Sequence, residues 1–164
     1  MSIERARAWL TDRGVDPARI LEFSVSSATV ELAAKALNCA PERIAKSLAL
    51  RLIGAAGSGV VLVVAAGDAR LDNAKYKARF GCKPKMLGHE EAAEEVGHAV
   101  GGVCPFGVKE GVAVYLDESL RRFGTVFPAV GSSNSAIELT LPELESLSSA
   151  RGWVDVCRLP EAGA

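Results

Sequence analysis

Ile44-Ala45-Lys46-Ser47-Leu48-Ala49-Leu50-Arg51-Leu52-Ile53 and, a little further on, Val60-Val61-Leu62-Val63-Val64-Ala65-Ala66 are the two stretches from which the architecture is read. The first alternates. Ile44, Lys46, Leu48, Leu50 and Leu52 share one face and Ala45, Ser47 and Ala49 the other, because successive side chains of a strand point to opposite sides. Lys46 therefore falls on the apolar face. The second stretch runs between glycines with no polar interruption and is rich in β-branched residues, which predicts a central strand buried on both faces.

Working outward, the chain alternates helices and strands. Ser2 is placed to cap a first helix that carries Ala6, Trp9 and Leu10 on one side and stops at Gly14. Ile20 to Val25 reads as a strand. Thr29 opens a helix with Val30, Ala33, Ala34 and Leu37 facing inward, and Pro41 starts a short helical turn. Asp72 caps a basic helix that Gly81 ends, and Met86-Leu87 forms a brief strand before an acidic helix. Gly97 to Gly111, glycine-rich and containing Pro105, is an extended loop, of the kind that commonly carries function. Strands follow at Val112 to Leu116, Thr125 to Val130 and Ala136 to Thr140, the last two as a hairpin around Gly131-Ser132-Ser133-Asn134. Thr140 and Glu143 make a capping box for a helix through Leu147, and Val154 to Cys157 is a last strand.

At 164 residues the chain suits one domain, 1–164, with a single core. With 49% apolar and 24% charged residues it belongs to the globular class and not to the disordered one. Val60 to Ala66 is too short to cross a bilayer, and the amino terminus lacks a secretion-type apolar segment, so a cytoplasmic protein is expected. Cys39, Cys82, Cys104 and Cys157 are scattered without a Cys-x-x-Cys pair, which argues against a structural metal or a disulfide framework. The net charge of −1 gives no long-range attraction for polyanions. Locally, Lys75, Lys77, Arg79, Lys83 and Lys85 fall within eleven acid-free residues, and Glu90, Glu91, Glu94 and Glu95 follow. The basic run is either a solvated helical face or a patch for a short stretch of RNA backbone.

Three features bear on chemistry. Lys46 either snorkels its ammonium to the rim or holds it beside a phosphate or a developing oxyanion. In Gly101-Gly102-Val103-Cys104-Pro105-Phe106-Gly107 the glycines allow close backbone approach to a ligand and Pro105 stiffens the segment after it; a plain turn anchored by Phe106 is the alternative. In Gly131-Ser132-Ser133-Asn134-Ser135 the hydroxyls either satisfy their own turn or line a pocket mouth. A cysteine nucleophile at Cys104 would need a neighbouring histidine or a helix amino terminus, and neither is visible in the sequence. His89 and His98 match no metal spacing and are expected at the surface.

Taken together, these segments resemble the YbaK/prolyl-tRNA-editing family, which includes the inserted editing domain of bacterial prolyl-tRNA synthetases. The resemblance is carried by Thr29 to Leu37, Arg43-Ile44-Ala45-Lys46-Ser47-Leu48, Gly101 to Gly107, Asp117-Glu118-Ser119-Leu120 and Gly131-Ser132-Ser133-Asn134. It implies an α/β fold of the α+β type: a single domain with a curved, mixed, largely antiparallel sheet wrapped by helices. It also implies hydrolysis of the ester joining a small amino acid to a mischarged tRNA, tRNA-Pro being the expected one, with no metal or organic cofactor. A neighbouring ribose hydroxyl of the substrate would assist. Lys46 then matches the family's essential lysine, and Gly102 and Pro105 belong to the loop that positions ester and water. Gly101, Val103, Cys104, Phe106, Thr29, Gly131, Ser132 and Ser133 are candidates for holding the aminoacyl end. Lys75, Lys77, Lys83 and Lys85 are candidates for tRNA contact, from their charge density.

The implied partners are aminoacyl-tRNA and, as a candidate, prolyl-tRNA synthetase, with neither membrane nor DNA. The cysteine-clearing branch typically carries Ser-Gly-Gly-Lys-Arg-Gly at the late turn and Ser-Pro where Cys104-Pro105 stands, which argues against cysteinyl-tRNA as substrate. The competing expectation is a non-catalytic module that binds aminoacyl-tRNA or a synthetase.

Overall fold

The structure is a computed structural model that describes residues 2–53, 59–98 and 101–160, Ser2 by its backbone only. Its frame is a six-stranded sheet of order β8-β6-β2-β3-β5-β9. β3 (Gly59–Ala66) lies inside it, antiparallel to β2 (Ile44–Leu52) and parallel to β5 (Val112–Asp117). Every residue of β3 from Val60 on is at most 5% exposed, as its uninterrupted apolar run requires. β6 (Thr125–Pro128) runs parallel to the start of β2, and further along the same edge Met86 makes an isolated bridge to Leu50 in place of the brief strand expected there. β8 (Leu139–Thr140) and β9 (Trp153–Val154) close the sheet's ends. Two small antiparallel pairs flank it: β1 (Ile20–Glu22) with β7 (Ser135–Ile137), and β4 (Arg70–Leu71) with β10 (Cys157–Arg158). The sheet is mixed, and antiparallel pairs outnumber parallel ones over the described chain.

Five α-helices wrap this frame: α1 (Ser2–Asp12), α2 (Val30–Leu37), α3 (Asn73–Phe80), α4 (His89–Glu95) and α5 (Leu141–Leu147). Their ends follow from local chemistry. Thr29 Oγ1 accepts from Leu32 N–H at 3.1 Å, Asp72 from Lys75 N–H at 2.9 Å, and Thr140 and Glu143 form their reciprocal box. Gly14 and Gly81, both at positive φ, follow the ends of α1 and α3. The capping expected of Ser2 concerns a side chain outside the described residues. α1 packs Ala6 and Leu10 into the core, and its Trp9 indole donates to Leu147 O at 2.6 Å on α5.

Three strands differ most from their sequence-based bounds. β1 stops at Glu22 because the next peptides are taken by the late turn: Phe23 N–H donates to Asn134 O at 2.8 Å and Ser27 N–H to Ser133 O at 2.6 Å. The hairpin exists at its base, where β6 pairs with β8, but its second strand divides at Glu138 and the first part, β7, turns to β1. The last strand likewise divides into β9 and β10, since Val156 N–H bonds the buried carboxylate of Asp117 at 2.9 Å.

Candidate active site

A cleft of about 230 Å³ opens along β2. Its floor is Ala45, Ser47 and Ala49, the face of β2 with small side chains, beside Ile44 and Lys46. One wall is the Ser27–Val30 segment entering α2; another is Met86 to His89 entering α4; Gly101, Val103, Ala129, Ser135 and Ala136 complete it. Small residues at every second position of β2 leave room that Leu or Val would fill. That regularity was available in the sequence, and reading it would have drawn Ser47 into the site. The Ser47 hydroxyl is buried and has no hydrogen-bond partner among the described residues.

The two loops singled out from the sequence meet here. A Cβ on Gly102 would stand 2.5 Å from Gly131 C and from Ser132 N, so the Gly101–Gly107 loop packs backbone to backbone on the late turn. Gly101 is at φ +81°, and a Cβ there would come 2.9 Å from Ala28 Cβ. This packing brings Gly101 and Val103 to the cleft. Cys104 and Phe106 stand behind its wall, both fully buried. The hydroxyls of the late turn serve the turn itself: Ser132 Oγ lies 2.8 Å from Ser135 Oγ, which accepts from Val130 N–H at 3.2 Å. Gly131, Ser132 and Ser133 are not part of the cleft lining, whereas Ser135 and Ala136 are. Thr29 lines the cleft with its hydroxyl engaged as the α2 cap.

Lys46 is half-buried. Its ammonium donates to Gly67 O at 3.3 Å and to Ala69 O, at the turn that ends β3. Burial lowers its pKa from the usual lysine value, opposed in part by the Asp68 carboxylate. Lys46 thus joins the cleft to a second hollow lined by Glu31, Gly67, Asp68 and Arg70.

His98 is a correction: it is fully buried, and its Nε2 lies 2.7 Å from Phe106 O and 3.5 Å from Cys104 Sγ. Its sequence neighbours gave no sign of this, because the inward turn follows from the loop's packing. Cys104 does, then, have the histidine that the sequence did not show. A carbonyl only accepts, so His98 Nε2 carries the hydrogen and cannot take the thiol's proton. Burial also pushes the Cys104 thiol up to about 12, the opposite of an activated nucleophile.

In the basic run all five side chains are exposed, but their settings differ. Lys75 is held by Asp155 Oδ1 and Cys157 O, each at 3.0 Å. Lys85 adjoins the cleft, since its carbonyl accepts from Arg51 N–H at 2.9 Å just before Met86.

A curved mixed sheet with a lysine and a glycine-rich loop opening on one cleft marks a class, and the sequence comparison agrees. Residues 25–147 match the aminoacyl-tRNA editing domain, and the chain belongs to that family. It is 53% identical over 139 residues to the uncharacterized protein YwhH of Bacillus subtilis (strain 168), covering 85% of this chain and 87% of that one. Among solved structures it is similar to a candidate trans-editing enzyme for prolyl tRNA synthetase, with 30% identity and a TM-score of 0.82 over 96% of this chain and 97% of that one. It is also similar to hypothetical protein APE2540, with 27% identity and a TM-score of 0.81 over 94% of this chain and 99% of that one.

Proposed function

We propose that the protein is a trans-acting deacylase that hydrolyses the ester between a small mischarged amino acid and tRNA, with tRNA-Pro as its tRNA and prolyl-tRNA synthetase as a candidate partner. The observation that carries this reading is that Lys46 shares one cleft with the Gly101 and Val103 segment of the glycine loop. Family membership supplies the substrate class. The cleft is smaller than the roughly 300 Å³ at which pockets for drug-sized ligands begin, and alanine is its commonest lining residue, which suits a small aminoacyl group.

In this reading water adds to the ester carbonyl, the bond to the ribose oxygen breaks, and free amino acid and deacylated tRNA leave. An aminoacyl ester is already activated, so placing water and stabilising the forming oxyanion are the main requirements. Backbone groups of the Gly101 to Pro105 loop orient the aminoacyl end, and the Lys46 ammonium provides positive charge beside the scissile group. The Ser47 hydroxyl offers a donor on the cleft floor that no described residue engages. The basic side chains, Lys77, Lys83 and Lys85 ahead of the engaged Lys75, approach the tRNA backbone.

One observation favours the competing reading of a binding module: the ammonium is turned toward Gly67 and Ala69 rather than left unengaged. Lys46→Ala separates the two. With alanine, serine and cysteine charged on tRNA-Pro and on other tRNAs, a deacylase loses turnover in this variant while keeping its affinity, and Cys104→Ala keeps turnover. Folded wild-type protein that binds these tRNAs and leaves each ester intact would establish the binding module instead.

A further inference from the structure

The Asp117-Glu118-Ser119-Leu120 motif has no place in the cleft, yet it connects to Lys46 through one turn of chain. β3 ends at Ala66, and Gly67-Asp68-Ala69 leads into β4. The carbonyls on either side of Asp68 are the two acceptors of the Lys46 ammonium. Asp68 itself receives a forked pair from Arg122, with Nη1 to Oδ2 at 3.0 Å and Nη2 to Oδ1 at 2.6 Å. Arg122 Nε donates to Ser119 O at 3.0 Å, and Ser119 Oγ accepts from Ala66 N–H at 3.1 Å, inside the core. Asp117 anchors this network by accepting from Ser119 N–H and Val156 N–H, each at 2.9 Å. On the opposite side the turn has no slack, because a Cβ on Gly67 would lie 2.1 Å from Pro41 O.

We propose that the Asp68–Arg122 ion pair is a positioning device for Lys46: it fixes the Gly67–Ala69 turn, whose carbonyls hold the ammonium at the edge of the cleft. The inference rests on the deacylase reading for its consequence in catalysis, but its geometric content stands apart from it. A lysine is a point charge on a flexible four-carbon stem, and an arginine fork is a planar two-point clamp. Holding the first through a turn fixed by the second restricts where the charge can be when the ester arrives, and a displacement of about 1 Å at such a site costs about 10²-fold in rate. Besides its burial, the ammonium feels Cys157, Asp68 and Glu31 from α2, which favour its charge, and Arg70, which opposes them.

The test uses Asp68→Asn, which keeps the shape of the side chain, together with Arg122→Gln and Arg122→Lys. Their folding is checked by thermal melting. Lysine labelled with ¹³C at Cε, with the Lys46 resonance assigned from Lys46→Arg, reports the ammonium directly. The expected result is that the Lys46 signal moves in Asp68→Asn and Arg122→Gln while that of Lys77 stays in place. Its titration midpoint in Asp68→Asn should fall below that of wild type, because an attracting carboxylate is gone. Against alanyl-tRNA-Pro, kcat should drop by about 10²-fold with KM little changed, and Arg122→Lys should recover part of the loss. A Lys46 signal and midpoint identical to wild type in the folded variants would overturn the proposal. A wild type that hydrolyses nothing while its Lys46 signal still responds to Asp68→Asn would leave the positioning role standing and remove the deacylase reading.

Discussion

Gly102 shows how much of the site depends on a missing atom. Its absent Cβ would lie 2.5 Å from two backbone atoms of the late turn, neither of which can rotate away as a side-chain tip would. Gly102→Ala should therefore part the two loops and destabilise the protein by about 1–3 kcal/mol, the range for forced overpacking. Gly124→Ala is the matched control, with no atom of the described residues within 4 Å of its Cβ, and should be close to neutral. Urea denaturation of both variants checks the pair; equal midpoints would show that the loops have room to spare. Glycine doublets are visible in a sequence, but the partner against which Gly102 closes lies about thirty residues away and is chosen by the fold.

At the level of elements, helix caps proved legible and strand ends did not. Thr29, Asp72 and Thr140 cap the helices assigned to them, since a cap is a contact three residues long. β1, by contrast, stops where Asn134 and Ser133 capture its continuation, a competition between distant peptides that periodicity does not express. The basic element carries its own prediction. Because Lys75 is engaged by Asp155, reversing Lys77 and Lys83 should weaken tRNA binding more than reversing Lys75 and one of them. The slope of log affinity against log salt should fall by about 0.7–0.9 for each phosphate no longer neutralised. Fluorescence anisotropy across a salt series measures both; unchanged affinity and slope would take this basic run out of the tRNA interface.

For the molecule as a whole, the buried His98 sets an acid sensitivity. Burial holds its pKa below the ordinary histidine value of 6.5, so the unfolded chain takes up this proton at a higher pH than the folded one. The stabilising contribution is complete above that value and is lost as pH falls through it toward the folded-state pKa. Wild-type stability should decline below about pH 6.5, and His98→Gln should flatten that limb. A separate loss follows at lower pH, where Glu143, held at about 2 by Arg19 and by the Thr140 backbone, must be protonated. Denaturant midpoints from pH 7 to 4 resolve the first limb; a His98→Gln profile parallel to wild type would assign it elsewhere.

By itself the sequence determined the helices, the central strand Val60 to Ala66, the resemblance to the editing family, and Lys46 and the glycine loop as the places to look. Each rests on interactions within a few residues or on a pattern of side-chain sizes along one element. Only the tertiary structure decided that Ala45, Ser47 and Ala49 form a cleft floor, that His98 turns inward beside Cys104, and that the Lys46 ammonium rests on Gly67 and Ala69. Those outcomes depend on which strands pair and in which register, and so on contacts between segments that chain order leaves far apart.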